Sequence, residues 1–260
     1  MASHLKGEND DPPPYSERPT DGHTTQVAAS SSAAQVLPPP FSPQPLIPRQ
    51  FPPAFNLYMT TRRHYFIGEH QTHPLYAVVL SPRYSPQPDV VLHGGPGEHT
   101  RALAVVDRDL MVALPPLAGA GGRRVEERFE AHGLGDNTVV FTIETGPGGR
   151  REAFEWRRSR GEEVRVLGGR ERGWKLVRLR TDAPTGLGGQ GRAVFGGGAT
   201  AGDGREVVAV WAWATMSLTK KLRFRFLGSG ASGVLGERWA VMAVVTALWS
   251  FERERRFNED

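Results

Sequence analysis

The segment that most constrains this chain is WAVMAVVTALW, residues 239–249. Gly233, Gly236 and Glu237 precede it, and Phe251 and a charged run over 252–256 follow it. An acid at the start and bases at the finish suit a helix macrodipole, so the pattern predicts a helix over 237–255. Its apolar residues stand on every side rather than along one stripe, and a helix apolar all round is buried all round. The run is much shorter than the ~20 apolar residues that a bilayer span needs. The simplest cover is a closed sheet wrapped around the helix, with Trp239, Val241, Met242, Val245, Leu248 and Trp249 in the core. Each large apolar side chain so buried contributes roughly 1.5–3 kcal/mol, which makes this helix the centre of the fold.

The rest of the chain supplies the sheet. From Phe55 onward, short β-branched and aromatic runs are separated by Gly, Pro, Asp or Asn: 56–60, 64–67, 75–80, 89–93, 103–106, 138–145, 153–157, 174–180, 207–215 and 222–227. Short strands with frequent turn signals and no helices between them predict a mainly β protein, a closed antiparallel barrel around the C-terminal helix. Two stretches read as insertions, one near 111–136, where 115–122 leads into a short helix over 125–132, and one Gly-rich near 181–205. Residues 1–50 hold ten of the 21 prolines and a Ser/Ala tract at 28–34. Such a stretch cannot bury enough apolar surface to offset an ordering entropy of about 1–2 kcal/mol per residue. The expected organisation is a disordered proline-rich tail over 1–50 and one barrel domain over 51–260.

Composition narrows the function. The chain has no cysteine, which removes disulfides, thiolate metal sites, cysteine nucleophiles and S-acylation together. Residues 1–12 contain no hydrophobic stretch of the signal-peptide kind, so a cytoplasmic location is expected, with peripheral membrane association and no transmembrane span. The formal net charge is +4, and Lys6, Lys175, Lys220 and Lys221 are the only lysines. This arginine bias is a matter of composition as much as of function, and no specific nucleic acid is expected as a partner.

Motifs that suggest catalysis fail on their own requirements. HGGPG at 93–97 copies the oxyanion loop of α/β-hydrolases, yet no GxSxG occurs and no histidine follows His132 to serve as base. It reads as a hairpin turn. GLGGQG at 186–191 matches a dinucleotide fingerprint but lacks the flanking strand and helix that hold the pyrophosphate. His64, His70 and His73 with Glu69 do not have the spacing of a helical zinc site, and a hairpin turn over 68–74 accounts for them. Glu126, Glu127 and Glu130, like Glu162 and Glu163, read as solvated faces. The expectation is a non-enzymatic protein with no cofactor and no metal.

Two features point to binding. Pro12, Pro13, Pro14 and Tyr15 spell PPxY, a polyproline ligand of WW domains with a tyrosine anchor. KKLRFRF at 220–226 alternates as a strand, so Leu222, Phe224 and Phe226 would face the helix and Lys221, Arg223 and Arg225 would share the outer face. Lys220 adjoins them, Arg178 and Arg180 are candidates on a second strand, and Arg157 and Arg158 on a third.

The blocks FNLYMTTRRHYFIGEHQTHPLYAV, EAFEWRRS, GWKLVRL, EVVAVWAWATMSLTKKLRFRFLGSG and LGERWAVMAVVTALW together resemble the fungal branch of tubby-like C-terminal domain proteins. The wider superfamily joins tubby domains, phospholipid scramblases and plant LURP-one-related proteins. The resemblance covers 51–257 outside the two insertions. It implies a barrel around a central helix and, from tubby domains, phosphoinositide binding by basic side chains on the barrel. Scramblases also carry a proline-rich tail, but their acidic calcium segment has no counterpart here, since 220–236 contains no Asp or Glu. The functional expectation is therefore recognition of an anionic phospholipid through Lys220, Lys221, Arg223, Arg225, Arg178 and Arg180. The alternative is an adaptor recruited through its PPxY tail by WW-domain proteins such as ubiquitin ligases.

Overall fold

A computed structural model describes residues 50–82, 85–116, 125–133, 138–179 and 199–259. The expected tail and most of the Gly-rich insertion, including GLGGQG, lie outside the described residues.

Alternation of buried and exposed side chains builds the wall strand by strand. The strands are β1 (Ala54–Met59), β2 (His64–Gly68), β3 (Tyr76–Leu80), β4 (Val90–His93), β5 (Ala102–Val106), β6 (Met111–Leu114), β7 (Val125–His132), β8 (Thr138–Thr145), β9 (Arg150–Ser159), β10 (Gly173–Arg178), β11 (Val207–Trp213) and β12 (Lys220–Phe226). Each pairs antiparallel with the next along the chain, and β1 pairs with β12. The sheet closes as a twelve-strand barrel, which removes the free edges that would otherwise template aggregation. A one-turn helix, α1 (Glu162–Arg165), covers the outside, where Val164 packs with Leu167, Val177, Val207, Val210 and Ala212 in a small second core.

The last strand is turned back into the lumen by α2 (Gly228–Ser232), which ends on Gly233 at φ 82°. A β-carbon on Gly230 would lie 2.2 Å from the Val208 carbonyl oxygen and 2.7 Å from the Trp239 ring, so only glycine lets the chain pass so close to β11. The long helix α3 (Glu237–Glu259) then runs through the barrel. Rings from strands around the wall meet it: Trp239 packs on Phe154 and Phe226, Trp249 on Phe129, and Phe251 on Tyr65 and Trp213. All six side chains expected in the core are at most 8% exposed. Among the described residues, no helix is long and apolar enough to cross a membrane.

Two expectations are corrected. Residues 125–132 form strand β7 rather than a short helix, and together with β6 they place two staves of the barrel inside the stretch read as an insertion near 111–136. Glu127 is the physical reason. It sits at an inward position of β7 beside Phe129, where an apolar residue would have made the alternation visible. Its charge is matched by Arg151 and Arg238, one of which comes from the far end of the sequence. Glu127 is accordingly buried, not part of a solvated face, whereas Glu126 and Glu130 are exposed.

Candidate functional site: the two mouths of the barrel

The mouth where α3 begins is charge-balanced. Arg178, at the last position of β10, donates from Nε to Glu152 at 2.5 Å and from Nη2 to the other oxygen of the same carboxylate at 2.8 Å. Glu206 stands 3.5 Å away on its other side. Arg238 donates to Glu144 and to the Pro115 carbonyl, and Arg151 makes a two-pronged contact with Glu127 at 3.1 and 2.7 Å. Burial alone would raise the pKa of Glu152. Hydrogen bonds from Arg178 and Thr145 and the charges of Arg178 and Arg150 outweigh it and hold the carboxyl below its ordinary value.

The mouth where α3 leaves is different. Parity along β9 puts Arg158 on the same face as Trp156, and the connection from β9 to β10 brings in Arg170 and Arg172. With Arg253 from α3 they line a cavity of about 280 Å³ walled by Trp174, Trp213 and Trp249. Among the described residues lining it, the only carboxylate is Glu254, which is fully engaged. It accepts from Trp174 Nε1 at 2.8 Å and Trp213 Nε1 at 2.7 Å and lies 2.5 Å from the Arg158 guanidinium. The arginines lean on the indoles, with Arg158 over Trp174 at 4.9 Å, Arg170 over Trp213 at 5.6 Å and Arg253 over Trp249 at 5.3 Å. Burial pushes the Arg253 guanidinium below its ordinary pKa, and no carboxylate among the described residues pairs with it. A second cavity of about 420 Å³ shares Arg170 and Trp213 and adds Arg62, Tyr65, Lys221 and Arg255. Four guanidinium groups against one committed carboxylate give planar donor forks, desolvated on one side by aromatic rings, of the kind whose geometry matches carboxylate and phosphate oxygens.

Of the six basic residues expected to act together, the five that are described are dispersed. Register passes from Leu57 opposite Leu222 to Tyr58 opposite Lys220, so Lys221 is the extra residue of a β-bulge. The bulge breaks the expected outer trio. Lys221 lines the mouth cavity, while Lys220 lies outside over the Tyr58 ring at 5.7 Å. Burial, with the nearby charge of Arg223 adding to it, lowers the Lys220 pKa. Arg223 is tied down, donating from Nη1 to the Leu167 carbonyl at 2.8 Å, and Arg225 is exposed. Arg178 belongs to the opposite mouth, four residues from Trp174 along β10 or about 13 Å at the usual strand rise. Arg180 lies outside the described residues, as do Pro12, Pro13, Pro14 and Tyr15.

The remaining motifs have structural roles where they are described. HGGPG forms the end of β4 and the turn into β5, with His93 Nδ1 2.9 Å from the Thr100 carbonyl. His64 meets Glu98 at 2.5 Å, and residues 69–74 fold back over β1, where Asn56 donates to the Glu69 carbonyl. Glu163 faces Lys175 and Ser159, whereas Glu162 pairs with Arg165 on the surface. Arg170, Arg172 and Arg253 were not among the expected site residues. Arg172 stands two residues before the inward Trp174, but Arg170 and Arg253 carry no comparable signal, because barrel closure is what brings them to this mouth. In comparisons with protein-family models, curated proteins and solved structures, this chain matches none.

Proposed function

We propose that the protein is a non-enzymatic binding module whose barrel recognises the phosphate-bearing head group of an anionic phospholipid. The observation that carries this reading is the cavity beside α3, where Arg158, Arg170, Arg172 and Arg253 converge and the single acid among the described lining residues is already spent on Trp174, Trp213 and Arg158. Guanidinium forks match phosphate oxygens bidentately, and the indole walls keep water from one side of each cation, which strengthens the attraction. The proposed site is this mouth rather than the outer face of β12, and of the β12 cations Lys221 lines the adjoining cavity.

Three tryptophans in the wall make the test direct. Titrating the protein with soluble inositol trisphosphate should change tryptophan emission saturably and be weakened by salt. Each cation contributes roughly 1 kcal/mol, so replacing Arg170, Arg172 and Arg253 together by alanine should weaken binding by about a hundredfold. The variant loses the cation–π contacts of Arg170 and Arg253, ~0.5–1 kcal/mol each, and should stay folded with a slightly lowered Tm. A titration that leaves emission unchanged, or a triple variant with unaltered affinity, rejects the reading.

A further inference from the structure

Five large apolar side chains are conspicuously exposed among the described residues: Val166, Met216, Leu218, Val234 and Phe257. Three of them, Met216, Leu218 and Phe257, belong to the end of the barrel where α3 leaves. Phe257 lines the arginine cavity, and Met216 and Leu218 form the tip of the turn between β11 and β12, whereas Val166 caps α1 on the outside of the wall. Val234 is at the other end, in the segment whose Leu235 carbonyl accepts from the Gly146 N–H.

Met216 is 105% and Leu218 90% exposed, which leaves both side chains with no packing partner. The turn itself is held firmly. Lys220 N–H donates to Ser217 Oγ at 2.9 Å, Ala214 N–H to the Lys221 carbonyl at 2.9 Å and Met59 N–H to the Thr219 carbonyl at 2.8 Å. Met216 adopts φ 54°, a left-handed conformation that favours glycine, so this backbone projects an apolar side chain where a small residue would sit more easily. Beside it the turn between β1 and β2 presents Arg62 and Arg63, and Lys220 and Lys221 follow the tip; neither 60–64 nor 214–221 contains an acid. Apolar side chains ringed by cations at the rim of a cationic cavity complement one kind of surface, a bilayer with an anionic leaflet. A second copy fits poorly, because a symmetric contact would bring two cationic rims together.

We infer that the 214–219 turn is a membrane-inserting fingertip that places Met216 and Leu218 among the acyl chains and seats the arginine mouth against the head groups. This inference rests on the head-group reading above and adds an orientation: the end of the barrel where α3 leaves faces the bilayer. The absence of cysteine allows a clean test. Met216→Cys and Val234→Cys, each carrying an environment-sensitive fluorophore, are mixed with phosphatidylcholine vesicles with and without phosphatidylserine and phosphatidylinositol bisphosphate. A blue shift at position 216 with the anionic vesicles and none at 234 is the expected result. In the unlabelled protein, Met216→Ser with Leu218→Ser should weaken vesicle binding about tenfold through lost apolar burial and leave inositol trisphosphate binding unchanged.

Bound vesicles with no shift at 216 would overturn the fingertip, as would binding of the soluble head group without any binding of vesicles. A shift at 216 that grows with protein concentration in the absence of lipid would assign the tip to self-association and also overturn it. Insertion at 216 without binding of inositol trisphosphate would uphold the fingertip and remove the cavity reading.

Discussion

Thr246 is a polar residue in the middle of an otherwise apolar helix, and it is wholly buried. Its hydroxyl accepts from Trp156 Nε1 at 2.9 Å and donates to the Met242 carbonyl at 2.8 Å, which links α3 to the inner face of β9. Valine at this position keeps the shape and removes the acceptor. Trp156 N–H would then be buried without a partner, at a cost of about 1–3 kcal/mol. Thr246→Val should lower the unfolding free energy by that amount in chemical denaturation, and Trp156→Phe in the same background should add less than it does alone. Equal stability of Thr246→Val and wild type would show that the bond contributes nothing. This pairing is invisible in the sequence, because it joins positions ninety residues apart. The cationic mouth was half visible for the same reason. Arg158 stood on a recognisable strand, but its convergence with Arg170, Arg172 and Arg253 depends on barrel closure.

For elements, the decisive test is α3. Val245 is fully buried within the lumen. Val245→Asp would bury an unpaired carboxylate at a cost of several kcal/mol, comparable to the whole stability of a domain this size. The variant should be unfolded or aggregated at 25 °C by circular dichroism, whereas Val245→Ala should fold and lose about 1–3 kcal/mol. A Val245→Asp protein that retained the wild-type Tm would refute the central packing of the helix. This helix was legible because its requirement is local: a run apolar on all sides has to be enclosed. Most strands were legible by alternation. The exceptions are instructive, since β7 hides its period behind inward Glu127 and β12 changes face at Lys221 through a bulge that only its pairing with β1 defines.

Across the whole molecule the two mouths divide the charge, and this gives them different responses to pH. Where α3 begins, Glu152 is held below its ordinary pKa by Arg178 and Thr145 in spite of its burial. A carboxyl whose folded-state pKa is depressed adds stability above its unfolded value, about 4.3, and that stability is lost as pH falls through the lower folded value. Glu163, lowered by Ser159, its backbone hydrogen bond and Lys175 against the opposing effect of burial, and Asp203, lowered chiefly by its hydrogen bond from Arg157, act in the same direction. The barrel should therefore keep its stability through neutral pH and lose it in acid. Arg178→Met removes the principal partner of Glu152 and leaves burial to dominate, which drives that carboxyl upward and moves the acid limb of the stability curve to higher pH. The mouth where α3 leaves relies on guanidinium groups, which stay charged throughout this range. Head-group binding measured from pH 6 to 8, near neutrality, should thus follow only the protonation of the ligand's own phosphates, ~pKa 6, and Arg178→Met should leave it unchanged wherever the variant is folded. Coincident loss of binding and shift of the acid limb in Arg178→Met, at a pH where the variant is still folded by circular dichroism, would mean that the two mouths are coupled and that the division of charge between them is not a division of labour.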